Sequence, residues 1–121
     1  MNYLKLNDPL GDTTVIVAPG VDPEKSGIYV FCIDGIGTYV GQYTNPSRYR
    51  GHYSRNVRNL RLGNPYRPSN PHGFRRVHRE LAKAIGEKRE ISLTLLENWE
   101  DKSDRNRRER ELKNSIGTLN D

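Results

Sequence analysis

The sequence predicts one α/β domain: a three-stranded, mostly antiparallel sheet flanked by helices, behind an N-terminal extension. Three observations carry that reading. A chain of 121 residues suits a single modest core. Strand-like runs recur at 27–33, 38–41 and 90–96. Between and after them lie three stretches of helical periodicity with recognisable starts and stops. Apolar residues make up 33% and charged residues 29%, which fits a small core under a wet, charged surface.

Residues 1–25 read as the extension, and 26–121 as the domain proper. MNYLKLNDPLGD mixes polar residues with Pro and Gly and forms a lead-in. Thr13 to Ala18 (TTVIVA) is β-branched and could add an edge strand before Pro19 and Gly20 stop it. Gly27 to Ile33 is a nearly continuous apolar run, as expected of a strand covered on both faces. DGIG (Asp34 to Gly37) then turns the chain, and Thr38 to Gly41 returns as the second half of a hairpin. Period-two alternation puts Tyr29 on the same face as Phe31 and Ile33.

Asn45 is a good N-cap and Pro46 suits the first helical position, so a helix is expected from there. Tyr49, Tyr53, Val57 and Leu60 make its buried stripe; Arg48, His52 and Arg55 make an adjacent polar one. Gly51 within this helix has no packing reason visible in the sequence. Leu62 to Pro71 holds three prolines and must loop. A second helix covers about His72 to Ile85, with Phe74, Val77, Leu81, Ala84 and Ile85 inward, and ends at Gly86. Glu90 to Leu96 alternates as the third strand, with Ile91, Leu93 and Leu95 inward. A last, very polar helix is capped by Ser103 or Asp104 and runs to about Ser115. Leu112, Ile116 and Leu119 are its only anchors, so weak docking is expected at its N-terminal end.

Cys32 is the only cysteine, so the chain forms no internal disulfide, and its place in an apolar strand predicts a buried, inert thiol. No apolar run approaches the ~20 residues of a membrane span, and the N-terminal residues show no basic region followed by an apolar run. A soluble, cytoplasmic protein without a membrane partner is the expectation. The formal charge of +5 conceals an asymmetry: between Gln42 and Arg89, twelve Lys and Arg meet only Glu80 and Glu87. A basic middle on an otherwise acidic chain points to a polyanion bound at one face.

The order of the chemistry-bearing residues is more specific. Ser26-Gly27-Ile28-Tyr29, nine residues, Tyr39-Val40-Gly41, then Arg48-Tyr49-Arg50-Gly51-His52 resembles the GIY-YIG nuclease superfamily. The downstream layout of helix, strand, helix with Glu109 and then Leu119-Asn120 is also similar, so the resemblance covers Ser26 to Asn120. It implies a divalent-metal-dependent DNA endonuclease that hydrolyses phosphodiester bonds with Mg²⁺ or Mn²⁺. By that resemblance Tyr29 and Tyr39 act on the attacking water, Arg48 is the catalytic arginine and His52 an active-site histidine. Glu109 is the metal carboxylate with Glu111 as its competitor; Gly41 and Asn120 support the site, and His72 is a further match.

The chemistry suits those residue types. A guanidinium is a fixed, always charged donor pair for the oxygens of a phosphorane-like transition state. One carboxylate leaves most of a Mg²⁺ shell to water and phosphate. A tyrosine base is less easily justified, since nearby cations favour the phenolate and burial opposes it. Double-stranded DNA is the expected partner, held by Arg50, Arg55, His72, Arg75, Arg76, Arg79 and Lys83. One site cuts one strand, so a double-strand break requires two events or a homo-oligomer. His78 reads as a satisfied core histidine. The departures from the family pattern are a short hairpin, Val for Ile in the second motif, and a proline-rich loop ahead of His72. The alternative function is a non-catalytic nucleic-acid-binding module on the same fold.

Overall fold

Strand propensity and face alternation build the centre of the molecule. The computed structural model describes residues 5–120, so the first four residues of the lead-in and the last residue lie outside the described part. The elements are β1 (Thr14–Val17), β2 (Gly27–Ile33), β3 (Gly37–Tyr43), a π-helical turn (Arg48–His52), α1 (Tyr53–Leu62), α2 (Arg76–Gly86), β4 (Ile91–Asn98) and α3 (Lys102–Ile116).

The sheet has four strands, not three, in the order β1-β4-β2-β3. β1 supplies the fourth, pairing parallel with β4 from Thr14 opposite Ser92 to Val17 opposite Leu95. Its four β-branched or apolar residues are too few to mark it as more than a candidate from sequence, and β4 is what completes it. The other pairings are antiparallel. The extension also feeds the core, because Leu6 and Leu10 are buried in the main apolar cluster.

Alternation divides the apolar residues between two faces. Tyr29, Phe31 and Ile33 of β2, Tyr39 and Tyr43 of β3, and Ile91, Leu93 and Leu95 of β4 pack with Tyr49, Tyr53, Val57, Val77, Leu81 and Ala84. On the reverse face Ile28, Val30 and Val40 pack with Leu112 of α3. Cys32 belongs to this second face but is exposed, correcting the expected buried thiol: α3 covers Ile28 and Val30, and the strand runs on past that cover. Of the three expected anchors Leu112 and Leu119 are buried, Leu119 in the other cluster, whereas Ile116 is 42% exposed and anchors nothing.

The helices differ from the sequence expectation at their starts. Asn45 is not the N-cap: its Oδ1 accepts from the Ser47 N–H at 3.1 Å and from the Ser47 hydroxyl, and Ser47 itself caps a π-helical turn that precedes the α-helix. Gly51 in that turn lies against Asn7, where a Cβ would come within 3.2 Å of Asn7 Nδ2. α2 begins at Arg76, not His72, because Arg75 is extended and its N–H donates to His78 Nδ1 at 3.1 Å. α3 is capped by Asp101, which accepts from the Asp104 N–H at 2.8 Å. Its N-terminal half is firmly seated. Arg105, 4% exposed, donates to Gln42 Oε1 at 2.8 Å and to the Trp99 carbonyl at 3.0 Å, while Arg108 grips Glu97 at 2.8 and 2.9 Å. A buried and a partly exposed arginine do there what apolar anchors do elsewhere.

Candidate active site

Tyr29 lies opposite Gly41 across the β2–β3 ladder, and its ring crosses over that glycine. A Cβ at position 41 would overlap the Tyr29 hydroxyl and ring, so the second motif's glycine is what lets the first motif's tyrosine lie across the edge strand. Gly27 has a similar task, since a Cβ there would overlap the Glu97 carbonyl. A register shift next to Tyr29 leaves Leu96 of β4 unpaired, a bulge of the kind that re-aims side chains beside functional sites.

The hydroxyls of Tyr29 and Tyr39 meet through a third residue, Tyr53. Tyr53 is in short hydrogen-bond contact with the Tyr29 hydroxyl, and its own hydroxyl donates to that of Tyr39 at 3.5 Å. Arg48 joins them, lying over the Tyr53 ring with its guanidinium carbon 5.2 Å from the ring centre. Arg48 and Tyr53 are five apart, the spacing that a π turn stacks and an α-helix does not. The sequence reading placed Tyr53 in the apolar stripe alone; only the wide turn reveals its polar role.

Electrostatics decide the tyrosines' protonation. Burial pushes the Tyr29, Tyr39 and Tyr53 phenols well above their ordinary range, their mutual repulsion adds to it, and Arg48 offsets only part. Burial pushes Tyr43 up to about 12 in the same way. For Arg48, burial opposes the charge, but the surrounding Tyr53 and Tyr29 oxygens outweigh it and hold the guanidinium more firmly protonated. His52 moves the other way: partial burial, then Arg55 and Arg48, lower its proton affinity. The site thus holds neutral phenols, a fixed cation and a neutral imidazole at pH 7.

Arg48 and His52 open onto two cavities. One, about 280 Å³, is bordered by Gln42, Tyr43, Thr44, Asn45 and Ser47. The other, about 30 Å³, adds Tyr53, Asn56, Tyr66, Arg75 and His78. His78 is buried, as read from sequence, yet it also borders this second cavity, its Nε2 3.4 Å from Asn56 Nδ2. Its Nδ1 accepts from the Arg75 N–H at 3.1 Å.

Glu109, on α3 over the other face of the sheet, lines neither cavity that holds Arg48 and touches Gln42 of β3 instead. Gln42 Nε2 donates to its Oε1 at 3.2 Å, and Lys113 Nζ lies 3.5 Å from the same oxygen. Gln42 is thus a shared wall between Glu109 and the cavity of Arg48 and His52. Because β3 is an edge strand, the two faces of the sheet meet at its rim. Glu109's side chain is 16% exposed; Glu111's is 55% exposed and points to Arg108 at 3.6 Å. Among the described residues no group of three or more His, Cys, Asp and Glu converges. The donor set on hand is one carboxylate, which fits a hard ion that keeps most of its waters.

Asn120 grips the second motif from outside the sheet. Its Oδ1 accepts from the Val40 N–H at 2.9 Å and its Nδ2 donates to the Val40 carbonyl at 2.8 Å, so it pairs with the edge strand as another strand would. Of the basic residues read as a phosphate surface, Arg75 borders the site and Arg55 and Lys83 are exposed. Arg50 pairs with Glu24 at 3.2 Å, and Arg76 and Arg79 donate to the Thr118 and Phe74 carbonyls at 3.5 and 2.6 Å. His72 sits in the exposed α1–α2 loop and lines neither cavity that holds Arg48. No helix among the described residues is long and apolar enough to cross a membrane. Comparisons with protein-family models, with curated proteins and with solved structures return no match.

Proposed function

We propose that the chain is a metal-dependent endonuclease that hydrolyses DNA phosphodiester bonds at the Tyr29, Tyr39, Arg48 and His52 cluster. One observation carries the reading: Arg48, a partly buried cation lying over the Tyr53 ring, shares an open cavity with His52, whose proton affinity is lowered by partial burial and by Arg55 and Arg48. Arg48 is suited to bind a non-bridging phosphate oxygen, whose charge grows in the transition state. The buried phenols are suited to donate hydrogen bonds rather than to act as phenolate bases. His52 is the better proton acceptor: as water attacks phosphorus and the P–O bond breaks, its neutral ring takes the water's proton.

Glu109 would hold the metal, with Gln42 beside it. Bound there, Mg²⁺ or Mn²⁺ would neutralise phosphate charge and favour departure of the leaving oxygen. The salt link from Lys113 to Glu109 favours a second reading, a nucleic-acid-binding module without metal chemistry.

Nicking of supercoiled plasmid with Mg²⁺, Mn²⁺ or EDTA separates the two. The nuclease reading predicts metal-dependent nicking that Arg48→Ala lowers by about 10²-fold or more, the size of loss seen when one such stabilising donor is removed. Glu109→Gln should abolish it, and Glu111→Gln should not. Because the folded site lowers His52's proton affinity, the acid limb of the rate profile should lie below the ordinary histidine value of about 6.5, and His52→Gln should remove it. Wild-type protein that binds DNA but nicks with neither metal would establish the module instead.

A further inference from the structure

A wide opening lies next to the catalytic cluster. It is a groove of about 850 Å³ walled by Lys5, Arg50, Arg55 and Arg58, with Glu24 its only acid among the described residues. Asn45, Ser47 and His52 border both this groove and the 280 Å³ cavity of Arg48, so the two are continuous around the turn that carries the site. Pro46 is its one large apolar wall residue, whereas cavities for small organic ligands are mainly apolar.

The groove exists because the N-terminal segment is strapped onto the π-helical turn. The Asn7 N–H donates to the Arg50 carbonyl at 3.1 Å, and Ser54 Oγ donates to the Asn7 carbonyl at 2.8 Å. Asn7 packs on Gly51, where any side chain would crowd it. This strap delivers Lys5 to the wall facing α1. On α1, Arg55 and Arg58 are three residues apart, one turn along the same face, and both are exposed and line the groove. Neither Lys5 nor Arg58 stands out in the sequence; the strap makes them neighbours of the site.

We propose that this groove seats the phosphodiester backbone of duplex DNA running on from the cleavage position, with Lys5 and Arg58 as its phosphate contacts. The inference rests on the nuclease reading for the word cleavage, while the groove itself stands on its own geometry. Glu24, paired with Arg50, weakens the field there.

Binding of a labelled 20-base-pair duplex, followed by anisotropy in EDTA over a range of salt, tests it. Lys5→Gln/Arg58→Gln should weaken binding about tenfold or more and flatten the slope of log K against log salt by about 2, near one for each phosphate no longer neutralised. Glu24→Gln should tighten binding. Lys102→Gln, one charge removed at the start of α3, serves as the control, and thermal melts verify that each variant is folded. A folded double variant that matches the Lys102→Gln control overturns the proposal, as does a groove effect seen with an RNA duplex and not with DNA. The nuclease reading is judged separately by nicking: absent nicking with the groove effect intact removes the enzyme and keeps the groove.

Discussion

At the residue scale, the tyrosine cluster turns on Tyr53, whose hydroxyl touches those of both motif tyrosines. Tyr53→Phe keeps the ring that Arg48 lies over and removes only the bridge. Urea unfolding should show a loss of about 1–2 kcal/mol, because buried hydroxyls are left without a partner. The nicking rate should fall about tenfold with little change in the DNA concentration for half-maximal rate, the mark of an interaction made in the transition state. An unchanged rate would make Tyr53 a packing residue only. Tyr29, Tyr39, Arg48 and His52 are legible in the sequence as ordered motif residues. Tyr53 is not, because Tyr49 and Tyr53 form an unremarkable apolar pair at α-helical spacing, and its contact with Arg48 needs the π turn. His72 fails for the opposite reason: the sequence offers its residue type near a helix start, but Arg75 and His78 set that start four residues later.

At the element scale, β3 is the hinge of the arrangement. It is an edge strand, and natural edges are generally blocked against pairing with other chains. Here the C-terminal residues do the blocking: the N–H groups of Thr118 and Leu119 donate to the Thr38 carbonyl at 3.0 and 2.9 Å, and Asn120 takes both backbone groups of Val40. The same strand carries Tyr39 toward Tyr53, Gln42 toward Glu109 and Gly41 beneath Tyr29. Gly41→Ala should destabilise the fold by about 2 kcal/mol, read from the denaturation midpoint, since the new methyl overlaps a ring enclosed on all sides. It should also displace the Tyr29 hydroxyl, so activity should drop further than stability alone explains. Retention of both would mean that Tyr29 has another rotamer available. The strand's existence is plain from its hairpin partner, whereas its edge position depends on β1 and β4 occupying the other side of the sheet.

At the scale of the whole molecule, the N-terminal segment belongs to the core as well as to the surface. Leu10 is 1% exposed among the main cluster, so Leu10→Ala should cost about 3 kcal/mol, measured by urea or thermal unfolding. A loss under about 0.5 kcal/mol would mean that the segment only decorates a self-sufficient core. By itself the sequence determined the hairpin, the alternation that puts Tyr29 with Phe31 and Ile33, the inward residues of β4 and the basic middle of the chain, because these depend on neighbours within a few residues. Tertiary structure alone decided the fourth strand, the exposure of Cys32 and Ile116, the arginine-based seating of α3 and the protonation of the phenols. Each of those depends on which distant surface arrives: β4 beside β1, the length of α3 against β2, Gln42 and Glu97 beneath the arginines, and the helices that shut water away from Tyr29.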